Sequence, residues 1–328
     1  MRLFHVPVID IAKFAQGNDY ERAAIARLVD DTFVESGFMV VVGHGIPPAT
    51  IAAAKSAART FFALPADEKL KYREAGQTSR GFFPKDSIAS ARYSENRDAP
   101  TDLMESYALS SPNSPPWAPN AVDSQTFSGA NIWPKTPPQF RETFERYFDA
   151  VETLADQLMR MFALALRVEQ DYFRDFFSPY QGVVRANYYG KLDQQPLPGQ
   201  LRIGAHADLG GFTVLSADEG CGGLQIQDIT GKWHDVNSPP DGFVINIGEF
   251  MQAWTNDRWR ATRHRVLAPR SAAENTDRLT IPFFFNPDPD RYIECIPTCL
   301  DPGATPRHER FKVGDFRQHR LAQQQAVA

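Results

Sequence analysis

Apolar residues recur at helical spacing in two long stretches of the chain. The first covers residues 19–36 and stops at Gly37, and the second follows Pro137 and Pro138 and covers residues 139–167. In the second stretch the apolar side chains that share one face are Phe140, Phe144, Tyr147, Val151, Leu154, Leu158, Met161, Phe162 and Ala165. We interpret this stripe as core, and expect the longest helix to brace a sheet.

Short apolar or alternating runs, separated by Gly, Pro and Asp, dominate the chain from residue 183 onward. They predict strands at residues 183–189, 201–206, 212–216, 224–227, 233–236, 243–247, 262–266, 279–285 and 292–294. Earlier strands are predicted at residues 6–11 and 38–42, and a helix at residues 47–62. So many short strands are typical of a jelly roll, in which two sheets enclose a ligand space. The fold is therefore expected to be mostly β with flanking helices.

No periodicity is visible in residues 72–131, which are rich in Ser, Pro, Asn and Arg. The aromatic residues scattered through this segment favour an ordered covering over an active site. Its candidates for contact with an acidic or polar substrate are Arg80, Arg92, Tyr93 and Arg97. Ordinary solvated surface charge is an equally good interpretation of these residues.

Two residues with metal-binding side chains, His206 and Asp208, are spaced two apart at the end of a predicted strand. Alternate side chains of a strand share a face, so the imidazole and the carboxylate point into one space. His264 stands in another strand-like run and is the candidate third ligand. Two histidines and one carboxylate form the facial triad of non-haem Fe(II) oxygenases, which leaves coordination positions open. A His-x-Asp pair also arises by chance, so the pattern needs support from elsewhere.

Support comes from Arg278 and Thr280, which also share one strand face. An arginine and a hydroxyl placed in this way can bind a carboxylate through a charge-assisted fork and one further hydrogen bond. Arg278 opens an apolar run over residues 279–285, and an arginine in a buried strand needs an anionic partner. The sequence therefore predicts an anion clamp after the metal ligands.

Further motifs are spread over most of the chain: Val6-Pro7-Val8-Ile9-Asp10, Gly43-His44-Gly45-Ile46, Phe61-Phe62-Ala63-Leu64-Pro65, Asn187-Tyr188-Tyr189, Gly223-Leu224-Gln225, Asn246-Ile247-Gly248-Glu249 and His264-Arg265-Val266. Their order and spacing resemble the isopenicillin N synthase-like branch of the iron- and 2-oxoglutarate-dependent dioxygenases. The resemblance implies a double-stranded β-helix core of the cupin-like jelly-roll type. We divide the chain into an N-terminal dioxygenase region (1–130), a bracing helix (131–180), a catalytic core (181–300) and a tail (301–328).

The resemblance also implies roles for the candidate residues. The expected Fe(II) ligands are His206, Asp208 and His264. The expected 2-oxoglutarate pocket is formed by Arg278, Thr280, Tyr189 and Asn187. With O2, such an enzyme converts 2-oxoglutarate to succinate and CO2 and hydroxylates, desaturates or cyclises a small organic molecule. Whether Tyr188 or Tyr189 points inward depends on strand register, because a one-residue shift exchanges them.

The sequence leaves two other functions open. One is an isopenicillin N synthase-like iron oxidase, which uses O2 without 2-oxoglutarate and binds a substrate carboxylate with the clamp. Pro100, Thr101 and Asp102 stand where that resemblance requires a basic residue for its peptide substrate, which favours the 2-oxoglutarate-dependent reaction. The other is a jelly-roll protein that binds without catalysis, and a full ligand set followed by an anion clamp argues against it.

Composition limits the expected partners and location. Acidic residues exceed basic residues by 40 to 35, the net charge is −5 and no basic block occurs, so nucleic acid is not an expected partner. Cys221, Cys295 and Cys299 form no Cys-x-x-Cys pair, so neither a disulfide framework nor a zinc site is predicted. The chain shows no apolar signal segment and no run of about 18 apolar residues. We expect a cytoplasmic protein that acts on a small molecule away from membranes, with its oligomeric state open.

Overall fold

The computed structural model describes residues 4–73, 80–94, 98–112, 130–177, 181–220 and 222–325 of the 328-residue chain. The helices are α1 (Ala12–Gln16), α2 (Asp19–Glu35), α3 (Pro48–Phe62), α4 (Ala66–Leu70), α5 (Phe140–Ala165), α6 (Glu249–Trp254) and α7 (Val313–Gln325). Short 3-10 turns lie at Ser90–Ser94, Arg174–Phe177 and Pro297–Cys299.

The strands of the N-terminal half are β1 (Val8–Asp10), β2 (Phe38–Val42), β3 (Gly81–Phe83) and β4 (Glu105–Ser110). The strands that follow α5 are β5 (Gln181–Tyr189), β6 (Ile203–His206), β7 (Phe212–Ala217), β8 (Leu224–Gln227), β9 (Trp233–Asp235), β10 (Phe243–Ile247), β11 (His264–Val266), β12 (Arg278–Asn286), β13 (Tyr292–Ile293) and β14 (Phe311–Lys312).

Two sheets form the body of the molecule. The eight-stranded main sheet has the order β1-β2-β10-β7-β12-β5-β4-β3, and the four-stranded minor sheet has the order β6-β11-β8-β9. Apolar side chains of both sheets pack in one cluster, where Phe38 and Val244 of the main sheet meet Leu224 and Val266 of the minor sheet. The two sheets therefore face each other, as the predicted jelly roll requires.

Helices cover the outer face of the main sheet. Helix α5 begins and ends within two residues of the predicted bounds, and all nine residues of its predicted apolar stripe are buried. They join α2, α3 and the outward side chains of the main sheet in one large hydrophobic core. The interpretation of this stripe as core that braces the sheet is confirmed.

Both ends of helix α2 are determined by specific residues. Asn18 and Glu21 form a capping box at its start, and Gly37 follows its end with φ 68°. A Cβ at Gly37 would lie 2.1 Å from the carbonyl oxygen of Arg260, so glycine is required there by both conformation and space. This turn sends the chain directly into β2, which lies between the edge strand β1 and β10 in the main sheet.

Two strands of the main sheet lie in the segment that lacks sequence periodicity. Strand β4 pairs with β5, and β3 pairs with β4 at the edge of the sheet. Because these strands are short and contain Gly, Ser and Ala on one face, their hydrophobic pattern is too weak to predict them. Residues 74–79, 95–97 and 113–129 of the same segment lie outside the described residues.

None of the helices in the described part of the chain has the length and apolar character needed to cross a membrane.

Candidate metal and cosubstrate site

Strands β6 and β11 bring the two candidate histidines together. They pair antiparallel with His206 opposite His264, and the two ring centroids lie 4.3 Å apart. Oδ1 of Asp208 lies 3.5 Å from Nε2 of His206 and 3.7 Å from Nε2 of His264. One donor atom from each side chain falls within 4.8 Å of the others, and the described part of the chain contains no second group of this kind. The structure thus places all three predicted ligands around one point.

Backbone carbonyls fix the orientation of both imidazoles. Nδ1 of His206 donates to the carbonyl oxygen of Gly204 at 2.9 Å, and Nδ1 of His264 donates to that of Thr262 at 3.2 Å. A carbonyl can only accept, so the ring proton sits on Nδ1 and the lone pair of each Nε2 is directed at the space beside Asp208. Histidines that bind metals are commonly held by a second hydrogen bond of this type.

Asp208 is held by Thr213 and Asn246, neither of which was predicted from the sequence to be a site residue. Its Oδ2 accepts hydrogen bonds from Oγ1 of Thr213 at 2.6 Å and from Nδ2 of Asn246 at 2.7 Å, which leaves Oδ1 facing the histidines. Asn246 is the polar residue in β10, whose residues are all buried, and this isolated polar position in an apolar run is a signal that could have identified it. Thr213 shows no comparable signal, because threonine is common in strands.

The electrostatics of this group favour an ionised Asp208 and a neutral His264. Burial disfavours a charge on Asp208, but His264, His206 and the Asn246 amide together hold the pKa of its carboxyl well below the usual range. Burial, followed by repulsion from His206, lowers the pKa of His264 to about 4. Burial also disfavours the charged form of His206, but the hydrogen bond to Asp208 and the negative charge of that carboxylate raise the pKa of His206 above its ordinary value, so metal binding there displaces a proton. An ionised carboxylate and a neutral imidazole are the protonation states that metal binding requires.

The predicted anion clamp lies on the neighbouring strands β12 and β5. Arg278 pairs with Tyr189, and Thr280 pairs with Asn187, so strand alternation places all four side chains on one face. The phenolic oxygen of Tyr189 lies 3.4 Å from Oγ1 of Thr280, and the guanidinium carbon of Arg278 lies 4.9 Å from the Tyr189 ring centroid. The structure brings all four predicted residues together.

Three buried polar atoms of this clamp have no hydrogen-bond partner among the residues that the structure describes. Arg278 is 1% exposed, and its Nε and Nη1 make no hydrogen bond in the described part of the chain. Oδ1 of Asn187 is equally buried and without a partner among those residues. A buried guanidinium with unsatisfied donors is costly unless an anion binds it. The clamp therefore has the chemistry of a carboxylate site.

The structure resolves the choice between the two tyrosines. Tyr189 is 1% exposed and lines a narrow cavity of ≈ 60 Å³ together with the three candidate metal ligands. Tyr188 points to the opposite face of β5, where its ring stacks on Phe62 of helix α3 with centroids 5.2 Å apart. Tyr189 is therefore the tyrosine that can donate a hydrogen bond inside the cavity.

The carboxylate of Asp102 fixes part of the irregular segment to strand β6. We call residues 86–94 and 98–103 the covering segment. Oδ1 of Asp102 accepts from the backbone nitrogen of Gly204 at 2.9 Å, and Oδ2 accepts from the backbone nitrogen and Oγ of Ser90 at 2.9 and 2.6 Å. A Cβ at Gly204 would lie 2.5 Å from Cβ of Ala91, so the covering segment packs directly on the strand. Asp102 thereby supports the same Gly204 whose carbonyl orients His206.

Replacement of Asp102 with asparagine tests this support. We expect the free energy of unfolding to fall by about 2 kcal/mol, because an amide nitrogen would face donors at a buried site. Asp86→Asn is the matched control, since Asp86 is exposed and accepts one hydrogen bond from Thr101. Chemical denaturation of both variants measures the difference, and equal losses would contradict the role given to Asp102.

The four candidate substrate contacts of this segment have different positions. Arg92 donates from Nε to the carbonyl oxygen of Ala99 at 2.9 Å, and Arg80 is buried. Arg97 and the side chain of Tyr93 lie outside the described residues. Their contact with substrate stays a prediction.

Two family models match the chain. One, described as non-haem dioxygenase in morphine synthesis N-terminal, matches residues 6–136, and the other, the 2OG-Fe(II) oxygenase superfamily, matches residues 180–287. The 2-oxoglutarate-Fe(II) type oxidoreductase hxnY of Emericella nidulans is 30% identical over 316 residues, which cover 94% of this chain and 87% of that protein. Validamycin A dioxygenase of Streptomyces hygroscopicus subsp. limoneus is 28% identical, with 94% of this chain and 84% of that protein covered.

Solved structures are similar over almost the whole chain. A full-length Neurospora crassa protein in complex with alpha-KG and thymine has a TM-score of 0.83 and 26% identity, with 97% of this chain and 96% of that chain covered. JOX2 in complex with 2OG, Fe and JA has a TM-score of 0.77 and 25% identity, with 96% of this chain and 85% of that chain covered.

Proposed function

Because the chain belongs to the family of 2-oxoglutarate- and Fe(II)-dependent oxygenases, we propose that His206, Asp208 and His264 are its iron ligands. The enzyme converts 2-oxoglutarate and O2 to succinate and CO2 and couples this reaction to oxidation of a small organic molecule. We assign the far carboxylate of 2-oxoglutarate to Arg278 and Thr280. Hydroxylation is the proposed outcome, and desaturation and ring closure are open to the same residues.

The observation that carries the proposal is that Nε and Nη1 of the buried Arg278, beside the three ligands, have no partner among the described residues. The clamp and the ligand group line the same cavity, so one diacid can reach both. A dicarboxylic keto acid offers a chelating end and a free carboxylate, and the buried donors of Arg278 match that free carboxylate. The residues present therefore fit both iron and 2-oxoglutarate.

Bound iron supplies open coordination positions for 2-oxoglutarate and O2 and the redox chemistry of the oxidation. The protein positions the reactants. The carbonyls of Gly204 and Thr262 hold the two imidazoles, while Thr213 and Asn246 hold the carboxylate of Asp208. Tyr189 can donate its phenolic proton to the carboxylate bound by Arg278, and the apolar rings around the cavity exclude water.

The oxidase and the non-catalytic binding protein receive less support. Solved relatives carry alpha-KG or 2OG, and relatives along the whole chain are described as 2-oxoglutarate-dependent enzymes. Those relatives are named for small molecules or solved with them, which supports a small-molecule substrate for this chain. A cytoplasmic location and the absence of nucleic-acid and membrane partners remain parts of this proposal that rest on the sequence.

An anaerobic titration of the Fe(II) protein with 2-oxoglutarate tests the proposal directly. Bidentate chelation of iron by the keto acid is expected to produce a visible charge-transfer band that saturates with 2-oxoglutarate. Succinate release in air should depend on the same complex. A protein that binds Fe(II) without producing the band would favour the oxidase.

The support given by Thr213 can be measured separately. Thr213→Val keeps the shape of the side chain but removes the hydroxyl that donates to Asp208, so the dissociation constant for Fe(II) should rise about 10-fold. Thr153→Val, at an exposed position of α5, is the matched control and should leave it unchanged. Anaerobic competition with a chelator measures both constants. Equal constants for the two variants would show that Asp208 needs no support from Thr213.

A further inference from the structure

The main sheet has an outer face toward the helices and an inner face toward the cavity. On β4, Tyr107 and Leu109 join the helix-packed core, so Ser106, Ala108 and Ser110 point inward. On β5, Val184 and Ala186 lie in the same core, and alternation therefore points Arg185 inward together with Asn187. The inner face thus carries polar side chains beyond the 2-oxoglutarate clamp.

Strand register locates Arg185 relative to the cavity. Thr280 pairs with Asn187 and Phe283 pairs with Val184, so Arg185 falls opposite Pro282 on β12. On its other side Arg185 pairs with Ala108 of β4. Pro282 and Asn187 both line the cavity of the iron ligands. Arg185 therefore lies next to this cavity, about 7 Å along the strand from Asn187, which is the spacing of alternate residues.

The side chains around Arg185 form what we call the Arg185 patch: Phe83, Ser106, Ser110 and Arg185. Ser106 is 0% and Ser110 is 7% exposed, and the Oγ atoms of both lack hydrogen-bond partners within the described residues. Unpartnered buried hydroxyls are uncommon in folded proteins, and they mark places where another molecule can supply the partner. The guanidinium carbon of Arg185 lies 5.0 Å from the ring centroid of Phe83.

The patch is partly open. Phe83 and Arg185 are half-buried although their strand neighbours Phe82 and Ala186 are buried. Phe284, on the same inner face of β12, is also half-buried and lines the cavity. The Phe284 ring therefore lines the cavity of the iron ligands and lies two positions along β12 from Pro282, the residue opposite Arg185.

We propose that the Arg185 patch binds the substrate and that the substrate is a small organic acid with an apolar body. This inference rests on the proposed function. Arg185 and the serine hydroxyls donate to the substrate carboxylate, because a planar guanidinium matches the two oxygens of that group. The apolar body of the substrate packs against Phe284. In this position the C–H bond that is oxidised faces the iron ligands. Phe83 backs the guanidinium and reduces its exposure to water.

Pairs of acids and their neutral amides test the charge preference. Phenylacetate with phenylacetamide, and hexanoate with hexanamide, are titrated anaerobically into the Fe(II)–2-oxoglutarate enzyme. Binding next to the iron is read from the change in the charge-transfer band, and succinate release in air is a second readout. We expect at least one acid to bind about 30-fold more tightly than its amide, because hydrogen bonds to charged groups are the strong ones.

Substitutions of Arg185 test whether the Arg185 patch causes the preference for acids over amides. Arg185→Gln should abolish the preference for the acid, Arg185→Lys should retain part of it, and both should leave the affinity for 2-oxoglutarate unchanged because Arg278 is intact. Arg146→Gln, on the exposed side of α5, is the matched control and should behave as the wild type. Equal binding of acid and amide, no binding of either acid, or an acid preference that survives Arg185→Gln would overturn the inference. Absence of the charge-transfer band before any acid is added would instead overturn the proposed function.

Discussion

Asp208→Ala is expected to remove both iron retention and turnover. Loss of a residue that only supports a ligand costs about 10- to 100-fold in metal affinity, so loss of the sole anionic ligand should cost more than about 100-fold. The variant also leaves two neutral imidazoles without the carboxylate whose Oδ1 lies 3.5 and 3.7 Å from them. Iron content after purification, an Fe(II) titration and succinate release measure the three consequences.

Two further variants separate loss of the ligand from loss of the fold. Asp208→Asn keeps the size of the side chain but removes the charge, and should bind iron more weakly than the wild type. Asp235→Ala removes a carboxylate from an exposed position of β9 in the minor sheet and should keep both iron and activity. Circular dichroism should show the same secondary structure for all three variants. Normal iron content in a folded Asp208→Ala protein would refute the assignment of the ligands.

Local spacing explains why much of the site was predictable. The two-residue spacing predicted that His206 and Asp208 would lie close together, and they do, although β6 ends at His206 and Asp208 stands just beyond it. Arg278 and Thr280 share a face because both lie in β12. His264 lies 56 positions beyond Asp208, and its place in a strand-like run made it the candidate third ligand, but only the structure placed it opposite His206. Long-range pairing of this kind carries no local signal, because it depends on how separate strands meet in the sheet.

The residues that were missed depend on tertiary contacts. Thr213, Asn246 and Asp102 act through hydrogen bonds to groups 5, 38 and 102 positions away. Arg185 belongs to a strand that was predicted, but its neighbours Ser106 and Ser110 lie on a strand whose sequence pattern is weak. The inward position of Tyr189 also required the observed register of β5. The four-part division of the chain stays a prediction.

Arg278→Met should weaken binding of 2-oxoglutarate much more than it weakens binding of iron. Truncating one member of a buried, hydrogen-bonded ion pair costs about 3 kcal/mol, which corresponds to a rise of about 100-fold in KM for 2-oxoglutarate. The proposed iron ligands lie outside β12 and keep their own hydrogen bonds, so the dissociation constant for Fe(II) should change little. Removing the buried guanidinium, whose Nε and Nη1 lack partners among the described residues, should not destabilise the apo fold.

Comparison with Arg278→Lys isolates the geometry of the clamp. Lysine keeps the charge but cannot form the two-pronged contact, so its KM for 2-oxoglutarate should fall between those of the wild type and Arg278→Met. Saturating 2-oxoglutarate should restore much of kcat in both variants, because Thr280 and Tyr189 remain to orient the far carboxylate. The charge-transfer titration gives the affinity without turnover. If Arg278→Met bound 2-oxoglutarate as the wild type does, Arg278 would have to serve another anion, which is the arrangement expected of the oxidase.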